Sequence, residues 1–261
     1  MSADGLVVMD RAGWLELIRE SMIAAWSQLA RSTGGRTIGD DRVFASVVPA
    51  TPDRSVMNSV FYTDRDAMLA ALDDLAAAYE ESGVRAWTVW VQEDDEPAAQ
   101  ALQSAGHVFD AEPRAMGMDL SRADEPDLSG IEWSRDCDLV TIGRVNDAAY
   151  GYRDGSLERV ISSLPAEEVH PYAAHVDGEV AAVMLTIDCD DDTEITWVAT
   201  NEAARGRGLA TALMRQSLWD ARRRGQRTST LQATKLGAPV YRRVGFEDFG
   251  ALHMWERRAP G

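Results

Sequence analysis

An apolar strand that runs into a glycine-containing turn and then into an amphipathic helix is the most constraining feature of the chain. It spans residues 197–214, and its turn holds Gly206 and Gly208. Neither glycine has a Cβ that would keep a ligand away, and the first N–H groups of the helix have no partner within it. Such a turn suits an anion, above all a diphosphate. The helix carries an i, i+4 apolar stripe and is expected to end at Gly225 and to pack one face on a sheet.

Two common phosphate-binding motifs do not fit this turn. A P-loop needs Gly-Lys-Ser/Thr after its glycines, but the only lysine of the chain, Lys235, lies well downstream. A dinucleotide-binding fold needs a third glycine or alanine where Thr211 stands, and an acidic residue after the next strand, which here leads into Thr234. The turn therefore belongs to another class of diphosphate-binding motif.

Two sequence strings resemble signatures of the GNAT (GCN5-related N-acetyltransferase) superfamily. Residues 205–210 read Arg-x-x-Gly-x-Ala, which is similar to the family pattern Arg/Gln-x-x-Gly-x-Gly/Ala. Residues 234–246 read Thr-x-x-Gly-x-x-Val-Tyr-x-x-x-Gly-Phe, where the family has Asn-x-x-Ala-x-x-Leu-Tyr-x-x-x-Gly-Phe. Both strings have the family's order and separation, and the resemblance covers residues 131–258.

The resemblance implies acetyl-CoA as a cosubstrate and no metal. In the family, the glycine loop holds the pyrophosphate, pantetheine pairs with the preceding strand, and a backbone N–H of that strand donates to the thioester oxygen. Thr234 takes the place of the family asparagine near pantetheine, or it only caps the helix expected to start at Leu236. The implied cofactor contacts are Val198, Ala199, Thr200, Arg205, Gly206, Arg207, Gly208, Leu209, Ala210, Thr234 and Tyr241.

The resemblance also implies catalytic and acceptor-binding residues. The departing thiolate needs a proton, and Tyr241 resembles the family's tyrosine general acid; a buried structural aromatic is the other interpretation. The helix at residues 140–150 and the turn at residues 151–155 match the family segment that covers the acceptor. Asp147, Tyr150 and Tyr152 are therefore expected to line the acceptor pocket.

The general base is the least determined role. An alkylamine is mostly protonated at neutral pH, so some group must accept its proton before attack. Glu194 stands on the strand before the glycine turn, and alternation would put it on one face with every second residue up to Thr200. Several family members draw a base from this place. Asp147, Glu158 and a chain of waters are the alternatives.

The first half of the chain reads as a degenerate copy of the second half. Its predicted elements follow the same order at an offset of about 140 residues. Where the second copy has its glycine turn, residues 63–68 contain no glycine and two aspartates, which would repel a diphosphate. The predicted elements of the first copy are helices at residues 14–30 and 66–81, and strands at residues 43–48, 56–62, 84–91 and 116–120.

The predicted fold class is therefore α/β (α+β), with two tandem GNAT-like domains. Each domain is expected to have a mixed, mostly antiparallel sheet flanked by helices. We place a degenerate domain without a cofactor loop at residues 1–120, a polar linker at residues 121–130, and the catalytic domain at residues 131–261.

The amino-acid composition limits the classes of molecule that the protein is expected to bind. Acidic residues outnumber basic ones by 43 to 26, and the net charge of −17 disfavours nucleic acid and anionic membranes and favours a cationic amine. The cysteines, Cys137 and Cys189, fall in different predicted elements, as expected for free thiols in a cytoplasmic protein. The four histidines show no metal-binding spacing.

The sequence predicts an N-acetyltransferase that moves acetyl from acetyl-CoA to a primary amine of a small molecule or peptide. An acyl-CoA-binding regulatory protein without activity and a transferase for larger acyl groups are the alternatives. The sequence leaves the amine, the oligomeric state and the role of the first copy open.

Overall fold

The computed structural model describes Val7 and residues 9–259. The helices are α1 (Arg11–Ser32), α2 (Arg65–Glu81), α3 (Glu96–Ser104), α4 (Leu139–Ala149), α5 (Ser156–Ser162), α6 (Leu209–Arg224) and α7 (Ala238–Val244). The strands are β1 (Arg36–Gly39), β2 (Val43–Val47), β3 (Ser59–Tyr62), β4 (Ala86–Gln92), β5 (Val108–Ala111), β6 (Arg114–Asp119), β7 (Glu132–Ser134), β8 (Val169–Val176), β9 (Glu179–Cys189), β10 (Asp192–Thr200), β11 (Thr228–Ala233) and β12 (Glu247–Arg258).

The chain divides into two compact units, and neither is continuous in sequence. Unit 1 takes the residues up to Ala25 together with Ala115–Phe249, and unit 2 takes Trp26–Arg114 together with the residues from Gly250 onward. The division thus falls inside α1 and inside β12. It follows packing and not chain order, so the domain boundaries at residues 120 and 131 stay a prediction.

Unit 2 contains a sheet in the order β1-β2-β3-β4-β12, with β5 also paired to β12. The β3–β4 pair is parallel, whereas β1–β2, β2–β3, β4–β12 and β5–β12 are antiparallel. Helices α2 and α3 turn apolar side chains into the core, among them Met68, Tyr79 and Leu102. His107 is buried in this unit, and desolvation lowers the pKa of its imidazole to about 4, so the ring is neutral at physiological pH.

Unit 1 contains a sheet in the order β6-β11-β10-β9-β8-β7. The β10–β11 pair is parallel, and β7–β8, β8–β9 and β9–β10 are antiparallel. Helix α6 buries Leu213, Met214 and Leu218 in one core with Met184 of β9 and Ile195 of β10. The i, i+4 stripe of this helix therefore packs as the sequence predicts.

The predicted fold class is confirmed. In each unit an antiparallel pair leads into a strand (β3 or β10), a long helix follows (α2 or α6), and the next strand pairs parallel to the first. A parallel partner requires a crossover connection, which these helices provide. Both sheets are mixed and mostly antiparallel, and helices flank them.

The strand predicted at residues 56–62 is shorter than expected. Residues Ser55–Met57 form a 3₁₀ turn, and β3 begins only at Ser59. Buried Asn58 explains the difference, because its side chain accepts from the N–H of Val48 at 2.7 Å and donates to the carbonyls of Thr51 and Arg54, each at 3.1 Å. These bonds fold the chain into a turn, which alternation of apolar residues does not reveal.

Candidate active site

The parallel pair β10–β11 separates part-way along its length. Backbone pairing joins Asp192–Glu194 of β10 to Thr228–Thr230 of β11. Among the described residues, the rest of β10, up to Thr200, has no paired strand on that side. An open strand edge of this kind presents backbone donors and acceptors to an extended ligand.

A β-bulge lies within this open segment of β10. It changes which residues share a face of the strand with Glu194. Thr196 pairs with Leu185, but Ala199 pairs with Val183, so one extra residue is inserted in β10. Trp197, inside the bulge, has a left-handed φ of +46°. Because the bulge reverses the alternation, Glu194 and Thr196 share a face with Ala199, and the predicted common face with Val198 and Thr200 is wrong.

The glycine turn follows β10 after a short 3₁₀ segment. Gly206 and Gly208 have φ of +78° and +80°, and a Cβ on either residue would point into open space. Gly208 is the N-cap of α6, which receives no side-chain cap and has no acidic residue in its first turn. Arg205 and Arg207 are exposed next to these N–H groups. The turn therefore combines unused backbone donors with positive charge, as an anion site requires.

The equivalent turn of the first half is closed by its own side chain. Asp64 caps α2 and accepts from the N–H of Ala67 at 3.0 Å, and Asp66 adds a carboxylate in the first helical turn. A helix start that is already capped and negatively charged does not favour a diphosphate. The contrast with Gly208 agrees with the prediction that only the second half holds a cofactor loop.

Tyr241 lies on α7 with its side chain mostly out of solvent. Burial, and secondarily the repulsion that an ionised Tyr150 would exert on a second phenolate, raise the pKa of Tyr241 above its usual value, so the phenol keeps its proton at neutral pH. Its ring packs edge-on to Phe246 with centroids 6.1 Å apart. A Cβ at Gly237 would come within 2.9 Å of the Tyr241 ring, so this position is closely packed against the ring.

Thr234 shapes the start of α7. Its carbonyl accepts from the N–H groups of Gly237 and Ala238 at 3.0 and 2.9 Å, and its hydroxyl accepts from the N–H of Gly237 at 3.2 Å. The turn so formed delays the helix, which begins at Ala238 and not at the predicted Leu236. Thr234 thus has a capping contact, while its predicted contact with pantetheine stays a prediction.

Glu194 is fully buried at the paired end of β10. The Thr230 hydroxyl lies 3.0 Å from its carboxyl and 2.6 Å from the carboxyl of Asp192, to which Ser21 also donates at 2.8 Å. One hydroxyl proton cannot serve two carboxylates, and a protonated Glu194 that donates to the Thr230 oxygen satisfies both contacts. Desolvation, then repulsion from Asp192, raises the pKa of Glu194 to about 8.

We expect Glu194→Gln to make folding stability less sensitive to alkaline pH. The folded carboxyl binds its proton more tightly than the unfolded one, so this contribution is complete at acidic pH and is lost as pH rises through about 8. Glutamine cannot lose that proton. Thermal unfolding between about pH 5 and pH 9 should show the melting temperature of the variant rising relative to the native protein as pH increases. The half-buried Glu158→Gln serves as the control, and an identical pH dependence in all three proteins would contradict the shift.

The predicted acceptor-pocket residues lie around α4, but they differ in what they contact. The buried Asp147 accepts from the N–H groups of Leu157 and Glu158 at the start of α5, both at 3.0 Å, so its two oxygens are engaged. Tyr150 and Tyr152 stack with ring centroids 6.4 Å apart, and the Tyr150 hydroxyl is 3.4 Å from the carbonyl oxygen of Val198 in the bulge. The two tyrosines therefore stand beside the open strand edge.

Sequence reasoning missed Asn146, which lies one helical turn before Tyr150. Its side-chain amide donates to the carbonyl of Trp197 inside the bulge at 3.0 Å and to that of Ile142 at 2.9 Å. An asparagine on the inner face of an amphipathic helix is the signal that could have identified it, because a buried amide needs partners. The helix itself supplies only one of them.

A second polar cluster of unit 1, centred on Asp188, is an ion pair with Arg224. Asp188 accepts from Arg224 at 2.7 and 2.8 Å and lies 3.1 Å from the imidazole of His170.

Within the described ranges, no group of three or more His, Cys, Asp or Glu side chains is arranged to hold a metal ion. Among the residues that the structure describes, no helix is both long enough and apolar enough to cross a bilayer.

Comparison with known proteins agrees with this geometry. Residues 167–248 match the family model described as Acetyltransferase (GNAT) domain. This match includes the bulged strand, the glycine turn and Tyr241. Residues 167–248 are therefore similar in sequence to a GNAT acetyltransferase domain.

Solved GNAT structures extend the likeness over the whole chain as a likeness of fold. A GCN5-related N-acetyltransferase from Kribbella flavida has a TM-score of 0.67 and 17% identity, covering 94% of this chain and 96% of that one. Another from Sphaerobacter thermophilus has a TM-score of 0.61 and 18% identity, covering 100% and 98%. A tandem GNAT protein from the clavulanic acid biosynthesis pathway has a TM-score of 0.56 and 14% identity, covering 100% and 98%. No curated protein sequence matches the chain significantly.

Proposed function

We propose that the chain transfers acetyl from acetyl-CoA to a primary amine by direct attack in a ternary complex. The observation that carries the proposal is the continuity of an open, bulged strand edge with an uncapped glycine turn. The edge suits the amide groups of pantetheine, and the turn suits a diphosphate, so one continuous surface fits both parts of CoA. Acetyl-CoA, when bound, supplies an activated acyl group and a thiolate leaving group.

The residues of the chain have three tasks in such a reaction. Backbone donors at Val198–Thr200 in the bulge stabilise negative charge that develops on the thioester oxygen. The N–H groups of Gly206–Ala210, with Arg205 and Arg207, hold the diphosphate. Tyr241, which keeps its proton at neutral pH, donates that proton to the thiolate of CoA as the carbon–sulfur bond breaks.

Glu194 is our proposed base, acting through water because its carboxyl is fully buried. With a pKa of about 8 it is mostly protonated at neutral pH, so activity should rise as pH passes through about 8. We expect Glu194→Gln to lose this limb of the kcat profile. A profile unchanged by the substitution would assign proton removal to another group or to solvent.

The acceptor is proposed to be cationic in solution. The net charge of −17 and the two tyrosines beside the strand edge favour an ammonium group that stacks on aromatic rings and loses its proton on site. Small molecules and peptide amines both meet this description. A transferase for larger acyl groups and an acyl-CoA-binding regulatory protein remain the alternatives.

An acceptor screen tests the proposal. The intact protein is incubated with acetyl-CoA and a panel of polyamines, amino sugars, amino acid amides and N-terminal peptides, and release of free CoA thiol is recorded with a thiol-reactive dye. We expect thiol release that depends on one class of amine and a mass gain of one acetyl group on that amine. Binding of acetyl-CoA without thiol release from any amine would favour the regulatory alternative, whereas release only with longer acyl-CoAs would favour the larger acyl group.

A further inference from the structure

Asn146 holds the carbonyl side of one particular peptide unit. Its side chain is fully buried, and its Nδ2 donates to the Trp197 carbonyl oxygen at 3.0 Å. The carbonyl of Trp197 and the N–H of Val198 belong to the same planar trans peptide, in which they point in opposite directions. A fixed carbonyl therefore also fixes the direction of the Val198 N–H, which points away from Asn146.

The sheet does not hold this peptide by itself. Pairing of β10 with β9 is interrupted between Thr196 and Ala199, and pairing with β11 has already ended at Glu194. Trp197 also has a left-handed φ of +46°, which costs free energy in a residue with a Cβ. A conformation that is strained and unsupported by strand partners needs a contact from outside the sheet, and α4 provides it.

One further contact indicates that α4 and the residue that ends it clamp the bulge. Tyr150 lies one turn after Asn146, and its hydroxyl is 3.4 Å from the carbonyl oxygen of Val198, the next peptide along. The Asn146 Oδ1 atom is buried and has no partner among the described residues, so the amide is retained in the core despite a cost of desolvation. Asn146 and Tyr150 thus donate to two successive backbone carbonyls of the bulge, those of Trp197 and Val198.

We propose that Asn146 is a positioning residue, which aims the Val198 N–H at the thioester carbonyl oxygen. The inference rests on the proposed function, in which the bulge supplies the donor that stabilises charge on that oxygen. The side chains of Val198 and Tyr241 both pack against one apolar cluster of unit 1. A donor that is held before substrate binds needs no reorganisation during the reaction.

The test uses acetyl-CoA labelled with ¹³C at the acetyl carbonyl and needs no knowledge of the acceptor. In the native protein we expect the carbonyl resonance to move downfield on binding, because a hydrogen bond polarises the carbonyl. In Asn146→Leu, which has similar volume but no donor, most of this shift should be lost while the Kd for acetyl-CoA stays within a few-fold. Asn146→Asp, which keeps the shape but only accepts when ionised, is the second variant.

Ile142→Val is the matched control, since it perturbs a buried residue one turn away on the same helix and keeps the backbone carbonyl to which Asn146 also donates. With an accepted amine in hand, the Asn146 variants should lower kcat by about tenfold to a hundredfold, and the control should not. A native protein that does not bind acetyl-CoA would contradict the proposed function. A native protein that binds without a carbonyl shift, or folded Asn146 variants that keep the full shift, would overturn the positioning role.

Discussion

Gly208→Asp is expected to abolish acetyl-CoA binding, and calorimetry should show a loss of more than about a hundredfold in affinity. Gly208 caps α6 without a side chain, and the space where its Cβ would lie is open. An aspartate there would both cap the helix N–H groups and place a carboxylate against the diphosphate. The native protein should bind one acetyl-CoA per chain, because α2 is capped by Asp64.

Two controls separate charge from strain. Gly208→Asn has nearly the same shape and the same tolerance for a left-handed φ but no charge, so it should weaken binding much less. Gly225→Asp stands at the other end of α6 with φ of +102° and open space around its Cβ position, and it should leave affinity within a few-fold. A stoichiometry of two, or equal losses in all three variants, would contradict the assignment of the loop.

Tyr241→Phe is expected to lower kcat by roughly tenfold to a thousandfold while acetyl-CoA affinity stays within a few-fold. The phenyl ring still packs against Phe246 and Gly237, so the fold of α7 is retained. What is lost is the proton donor for the thiolate. Steady-state kinetics with the accepted amine, with a pre-steady-state check that chemistry limits the rate, measures the effect.

Tyr172→Phe is the matched control for this substitution. Tyr172 is a buried tyrosine of unit 1, and its hydroxyl donates to Asp220 at 3.2 Å and not to any residue of the site. Its removal should alter the melting temperature but not kcat. Equal turnover in Tyr241→Phe and the native protein would leave Tyr241 as a structural aromatic.

The local parts of the fold could be predicted from the sequence because their causes are local. An apolar stripe of period 3.6 predicts α6. Glycines, which adopt positive φ readily, predict the turn before this helix and its end, and the glycines at both places do have positive φ. Residues 205–210 and 234–246 resemble GNAT motifs in sequence alone, because those motifs encode a loop and a helix start, and residues 167–248 match the GNAT domain model. For the same reason the fold class is confirmed, while the boundary between the two copies stays a prediction.

Chain order alone could not predict which strand closes which sheet. The sequence places β12 at the end of the second copy, but its last residues pair with β4, and β6 of the first copy lies beside β11. Which partner a strand finds is decided by packing between distant segments, which no local pattern records.

The sequence by itself predicted a glycine turn before α6, the helix α6 and a tyrosine on α7, since each follows from residue type and spacing within one segment. Only the tertiary structure decided the bulge at Trp197, the engagement of both Asp147 oxygens at α5, the burial that raises the pKa of Glu194 and the contact of Asn146 with the bulge. Each of these depends on burial or on atoms at least ten residues away along the chain, and neither is a property of a short sequence window. The chemistry of the site therefore rests on residues whose types the sequence shows but whose partners only folding supplies.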